Sequence, residues 1–235
     1  MSGKEIMDPR DIVELQRRYR ERWNEFGYDP RTLGWNKGMQ EVRFAAVFDG
    51  LIPSEFESVL DIGCGFGDML TFLRARGWRG KYVGVDLVPE LIEEARRRHG
   101  SDGTFEVGDG SATPRRERLA LAAAIGCFNH KLEDHLRFVR DMLASMWAST
   151  EHVVVLDFLS AEADKQRDDL FYADVETLFR LGRAHSRRIH IHHGYMPFEL
   201  QLKVFHDDRW TVETPAFHPY VNGPKRPLTP FGGGT

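Results

Sequence analysis

Residues 58–70, SVLDIGCGFGDML, constrain the fold more than any other stretch of the chain. An apolar run climbs to Asp61, glycine then occupies positions 63, 65 and 67, and a helical pattern begins at Asp68. This order specifies a strand, a tight turn and a helix, with a backbone that carries almost no side chains at the turn. Glycine permits left-handed conformations and the close approach of a ligand. The helix that follows presents unpaired N–H groups. The spacing excludes two common uses of such a loop. A dinucleotide fingerprint needs a third glycine at 68 or 70, and those positions hold Asp68 and Leu70. A phosphate-binding loop needs Lys followed by Ser or Thr, and neither follows.

The rest of the chain supplies strands and helices in alternation. Strands are expected at KYVGVD, TFEVGD, LALAAAIGCF and HVVVLDFLS, separated by helices over PELIEEARRRH and LEDHLRFVRDMLASMW. The alanines of the fourth strand leave it ambiguous with a helix. A helix over DVETLFRLGRA, capped by Asp174, precedes two strands around Met196-Pro197 with no helix between them. The fold expected is therefore α/β: a doubly wound, mostly parallel seven-stranded sheet with an antiparallel edge hairpin. Before it, residues 8–26 carry Ile12, Leu15, Tyr19, Trp23 and Phe26 at helical spacing, and a second helix is expected over 39–51 with Val42, Ala45, Ala46 and Phe48 inside. The organisation expected is a helical cap over 1–50, a catalytic domain over 51–213 and a Pro/Gly-rich tail over 214–235.

Composition bounds the function. A chain of 235 residues with 41% apolar and 29% charged residues is an ordinary globular domain. Its net charge of −4 provides no broad field for nucleic acid or an anionic membrane. No apolar run approaches the roughly 20 residues a membrane helix needs, and the first residues lack the apolar core of a secretory signal. A cytoplasmic location with reduced thiols is expected for Cys64 and Cys127, placed as small residues beside a ligand pocket. His190 and His192 alternate on a strand, but without a third ligand at a fixed spacing no metal is assigned.

Acidic residues end the next two strands in register with the glycine loop, Asp86 in YVGVD and Asp109 in FEVGD. A carboxylate after the second strand can accept both hydroxyls of a ribose. Together, DIGCGFG, VGVDLVPELIEEAR and FEVGDG resemble the first three motifs of the class I S-adenosylmethionine-dependent methyltransferases, closely over residues 55–160 and more loosely beyond. The resemblance implies S-adenosylmethionine as cofactor and S-adenosylhomocysteine as product. It implies that Asp61 and the backbone of Gly63 and Gly65 hold the methionine moiety, that Asp86 holds the ribose with Leu87 beside the adenine, and that Asp109 and the Gly110 N–H bind the adenine edge. Cys127 would line the same pocket.

The end of the fourth strand, GCFNHKLED, lies beside the first strand across the reversal point, so residues 126–130 should face the sulfonium. His130 is the candidate general base, because its ordinary pKa lies near neutrality. Asn129 would orient the acceptor, unless both residues merely cap the next helix. Tyr195 is a further candidate contact or acid/base. The cap resembles those that close over such sites, with Tyr19, Trp23, Trp35 and Lys37 toward the acceptor, and DDLFYAD, with Phe171 and Tyr172, is a second lid candidate. The acceptor expected is a small molecule methylated on oxygen, nitrogen or carbon, with nucleic acid disfavoured. A protein or RNA methylase, a cofactor-binding relative without catalysis and, more remotely, a nicotinamide-dependent oxidoreductase stay open.

Overall fold

The structure, a computed structural model, describes residues 7–35, 39–110 and 117–207; Lys37 and the 214–235 tail lie outside the described residues. Five strands run parallel at the centre of the fold: β1 (Ser58–Ile62), β2 (Lys81–Asp86), β3 (Thr104–Val107), β4 (Leu119–Ala124) and β5 (Thr150–Ser160). A hairpin of β7 (Ile189–His192) and β8 (Glu199–Phe205) closes the edge, with β8 antiparallel to β5. The order β3-β2-β1-β4-β5-β8-β7 reverses direction between β1 and β4, so the crevice at their C-terminal ends is where such sheets bind ligands. An eighth strand, β6 (Tyr172–Ala173), pairs with the end of β5 beyond the reach of β4. The sequence pattern places these two residues only in a lid, because a two-residue strand carries no periodicity.

Burial on both faces explains the alanine-rich β4. All six of its residues are buried, Leu121 and Ala123 toward one apolar layer and Ala122 and Ala124 toward the other. This two-sided cover overrides the weak strand preference of alanine. Helices α3 (Asp68–Ala75) and α4 (Pro89–His99) cover one face through Leu70, Phe72 and Ile92, while α5 (His135–Ala148) and α6 (Val175–Arg183) cover the other through Phe138, Met142 and Leu178.

Helix α1 (Pro9–Phe26) starts where Asp8 accepts from the Arg10 N–H, and it has no fully buried residue. It lies across the C-terminal edge of the sheet, tied down by Gln16 Nε2 donating to the Leu87 carbonyl at 2.8 Å and by the Arg20–Glu90 ion pair. Helix α2 (Gln40–Phe48) packs on α3 through Phe44 and Phe72. Its inner face corrects the sequence reading: Arg43, Phe44, Ala46 and Val47 are buried, whereas Val42 and Ala45 face solvent and Phe48 is half-buried. The cause is a buried ion pair between Arg43 and Glu199, 156 positions away, which rotates a charged residue inward. Among the described residues no helix is long and apolar enough to cross a membrane.

Candidate active site

The loop after β1 is held from beneath. Gly63 and Cys64 donate their N–H groups to the Val85 carbonyl at 2.8 and 3.1 Å, and Gly65 donates to Asp86 Oδ2 at 2.9 Å. The other oxygen of Asp86 accepts from the Val88 N–H at 2.9 Å, so one carboxylate ties the ends of β1 and β2 together. Burial raises the Asp86 pKa, against the pull of those backbone donors. A carboxylate has about four acceptor positions, so this one keeps capacity toward the cleft that it lines.

Gly63, Gly65 and Gly67 all have positive φ, at 72°, 54° and 75°. A Cβ on Gly63 would sit 2.4 Å from Cys127 Sγ, and one on Gly65 would sit 2.9 Å from Leu33. Gly63→Ala is therefore expected to weaken S-adenosylhomocysteine binding about 10-fold or more. The left-handed backbone alone costs an L-residue about 1–2 kcal/mol, and the displaced thiol adds to it. Calorimetric titration reads the effect, and an unchanged affinity would remove the close-approach role from Gly63.

Gly63, Asp86, Leu87, Asp109 and Cys127 line a single narrow cavity of about 110 Å³, with Leu91, Phe138 and Met142 among its apolar walls. Asp61, Gly65 and Gly110 lie close to lining residues in the chain without lining the cavity themselves. Asp61 is buried and accepts a hydrogen bond from the Tyr82 hydroxyl, and burial pushes its pKa up to about 7. Gly110 has φ 70°, and a Cβ there would sit 2.6 Å from Ile62. Cys127 Sγ donates to the Ile62 carbonyl at 3.0 Å; Cys64 and Cys127 are both free thiols, and burial raises their pKa values well above the ordinary range.

A second, wider and more polar cavity of about 590 Å³ adjoins the first. Tyr19, Leu33, Trp35, Gly126 and His130 line both. Gly126 has φ 76° and would clash with Trp35 at 2.7 Å if it carried a Cβ. Its N–H donates to Asp157 Oδ1 at 3.1 Å, while the Arg43 guanidinium stacks on the far side of Trp35 at 4.4 Å. Tyr195 stands behind this loop and lines neither cavity. Its hydroxyl donates to Asp157 Oδ2 at 2.7 Å, and burial, then the nearby Glu199 charge, raises the Asp157 pKa above the ordinary carboxylate range.

Asn129 and His130 sit at the junction. Helix α5 begins at His135 with Asp134 as its cap, which leaves 129–134 as a loop and frees both side chains from capping. The segment 129–131 pairs instead with 169–171: Phe171 N–H donates to the Asn129 carbonyl at 2.9 Å, and Lys131 N–H to the Asp169 carbonyl at 3.1 Å. Asn129 lines the second cavity, and its Oδ1 is buried with no hydrogen-bond partner. Burial first, then the charges of Arg18 and Arg22, lower the His130 pKa to about 4. Tyr19 stands edge-on to the His130 ring at 6.2 Å, and burial pushes its pKa up to about 12.

The remaining candidates serve as supports. Tyr172 accepts from the Arg167 N–H at 3.1 Å, Phe171 stacks on His135 at 3.9 Å, and Trp23 packs on Phe66 at 5.7 Å. His190 and His192 pack on Phe205 and Tyr195, and among the described residues no group of three ligating side chains converges on a metal site. Sequence reasoning missed Arg18, Arg22 and Leu33, while Gly126 fell within the stretch it placed facing the sulfonium. The spacing of Arg18 and Arg22 about Tyr19 was a usable signal, because all three fall near one face of α1.

Residues 59–148 match the family model described as a methyltransferase domain. A Mycobacterium tuberculosis (strain H37Rv) protein named as a methyltransferase is 32% identical over 157 residues, spanning 63% of this chain and 92% of that one. Among solved structures, the magnesium protoporphyrin IX methyltransferase of Synechocystis PCC 6803 with bound S-adenosylhomocysteine aligns with a TM-score of 0.60 at 12% identity, over 83% of this chain and 99% of that one. The plantazolicin methyltransferase, solved with a triazolic desmethylPZN analogue and S-adenosylhomocysteine, aligns with a TM-score of 0.55 at 13% identity, over 83% of this chain and 98% of that one. At these identities the structural likenesses speak for the fold.

Proposed function

Because the chain belongs to the class I S-adenosylmethionine-dependent methyltransferases, we propose that it methylates a nucleophilic oxygen, nitrogen or carbon of a small-molecule acceptor. The observation that carries this reading is the junction of the two cavities, where Tyr19, Leu33, Trp35, Gly126 and His130 face both. The narrow cavity fits the nucleoside in the chemistry of its donors. Asp86 takes the ribose hydroxyls, Leu87 and the apolar walls take the adenine face, and Asp109 with the Gly110 N–H takes its edge. The bare backbone of Gly63 and Gly65 admits the methionine moiety, with Asp61 fixed behind it.

When bound, S-adenosylmethionine supplies a methyl group activated by positive sulfur. The protein has then to orient the acceptor, exclude water and receive a proton. The Asn129 Oδ1 accepts a hydrogen bond from a donor of the acceptor beside the nucleophile, which satisfies an oxygen otherwise buried without a partner. His130, neutral at pH 7, takes the proton at a ring nitrogen. Tyr19, Leu33 and Trp35 close the junction against solvent. Tyr195 acts at one remove, by holding Asp157 and through it the Gly126 N–H. The size of the second cavity, about 590 Å³, suits a small molecule.

The test is calorimetric titration with S-adenosylhomocysteine, followed by transfer of a labelled methyl group to a panel of low-mass alcohols, phenols, amines and activated carbon acids. Micromolar binding with transfer to a panel member is the expected result. A folded sample that does not bind S-adenosylhomocysteine would overturn the cofactor assignment. Binding without transfer to any acceptor class would favour a relative that binds the cofactor without catalysis.

A further inference from the structure

The second cavity carries a charge excess that the methyl-transfer chemistry does not use. Arg18, Arg22, Arg43 and Arg167 line it against a single lining carboxylate, Glu199. Two of the four cations are committed. Arg43 is buried against Glu199, and Arg167 grips Asp169 through two hydrogen bonds of 2.9 and 2.7 Å. The other two are not. Arg18 approaches Asp169 only to 3.9 Å, and Arg22 forms no ion pair among the described residues and lies only over the Tyr19 ring, at 5.9 Å.

Their placement is built rather than incidental. Arg18 and Arg22 stand four residues apart on α1, a spacing that puts side chains on one face, where like charges repel. Both are half-buried, so their guanidinium groups are partly removed from water, Arg18 with one distant carboxylate at 3.9 Å and Arg22 with no carboxylate partner among the described residues. The cap loop makes room for one of them: Gly34 has φ 79°, and a Cβ there would lie 2.8 Å from Arg22 Nη1. The rim is charged differently. Asp11, Glu14, Glu133 and Asp168 lie on the far side of Arg18 and His130, beside Lys131, so the attraction for an anion lies inside the cavity and not at that rim.

We infer that the acceptor carries a carboxylate or phosphate group that docks on Arg18 and Arg22 while its nucleophile faces Asn129 and His130. The planar guanidinium fork matches either anion through paired N–H donors. The inference rests on the methyltransferase reading of the same site and names the chemical class of its substrate. It also gives the cations a consequence for the base. Arg18, Arg22 and Arg167 hold the His130 pKa down and Asp169 opposes them, so an anion seated on the arginines restores basicity to the imidazole as the acceptor arrives.

The test needs no knowledge of the acceptor. Protein saturated with S-adenosylhomocysteine is titrated with pH by NMR of the His130 ring, alone and with benzoate or inorganic phosphate as the probe. In the wild type each effective anion should move the His130 midpoint upward by about one pH unit. In the Arg18→Met/Arg22→Met double variant the midpoint should start higher and no longer respond to the anion, and Arg22→Met alone should blunt the response. A response to phosphate only assigns a phosphate ester, and one to benzoate only assigns a carboxylic acid. An unmoved wild-type midpoint, or an equal shift in the double variant, overturns the proposal. Failure to bind S-adenosylhomocysteine in the first step would instead strike the underlying methyltransferase reading.

Discussion

Asp86→Ala is expected to weaken S-adenosylhomocysteine binding by about 100-fold or more. Two ribose hydroxyls donating to one carboxylate are worth about 1.5–3 kcal/mol each as charged hydrogen bonds, and each 1.4 kcal/mol is about tenfold in affinity. The substitution also strips the Gly65 and Val88 N–H groups of their acceptor, so the loop that carries the methionine moiety loosens at the same time. Asp86→Asn separates the two effects, because it keeps one acceptor oxygen and the shape of the side chain. An intermediate loss is expected there. Calorimetry on samples shown to be folded by their thermal transition decides the matter, and an Asp86→Ala affinity within threefold of wild type would take the ribose away from this residue.

His130→Ala should lower kcat by about 10²–10³-fold, the usual range for a positioned general base, with S-adenosylhomocysteine affinity within threefold of wild type. The pH profile offers a sharper check. A protonated imidazole cannot accept a proton, so kcat/KM falls as pH drops through the pKa of the free enzyme. Burial and the neighbouring arginines place that pKa at about 4, so the acid limb should lie there and not near the ordinary histidine value of 6.5. The profile should be level from mildly acidic to neutral pH. With a docked anionic acceptor the acid limb of kcat should lie above that of kcat/KM. A limb near 6.5 in kcat/KM, or a His130→Ala enzyme of undiminished kcat, would assign the proton to another acceptor.

What was legible in the sequence was what is decided locally. The glycine loop, Asp86 and Asp109 each follow directly on their own strand, so strand alternation alone places them at one edge of the sheet. Residues fixed by distant partners were not legible. Arg43 turns inward because Glu199 is waiting on β8, and no periodicity within α2 contains that information. Asn129 and His130 were legible as candidates and 168–174 as a lid, but not the pairing of 129–131 with 169–171 that presents them, a contact between two loops with no shared periodicity. Tyr195 was placed near the cleft correctly in the chain but not in depth, since its hydroxyl is taken by Asp157. The buried alanines of β4 illustrate the same limit from the other side, because two-sided cover is a property of the assembled sheet.

The cap has a consequence for the tempo of the reaction. Leu33 lies over Gly65, Trp35 lies over Gly126, and α1 is latched by Gln16 to Leu87 and by Arg20 to Glu90, all above the narrow cavity. On the proposed reading, a nucleoside seated there is partly covered by this cap, so its exchange is expected to need those latches to open. Every catalytic cycle must exchange spent cofactor for new, so on that reading every cycle is expected to include one opening of α1 and the Leu33–Trp35 loop. In rapid-mixing experiments the observed association rate would therefore level off with concentration at the opening rate of the cap, and turnover could not exceed that ceiling however fast the methyl group moves.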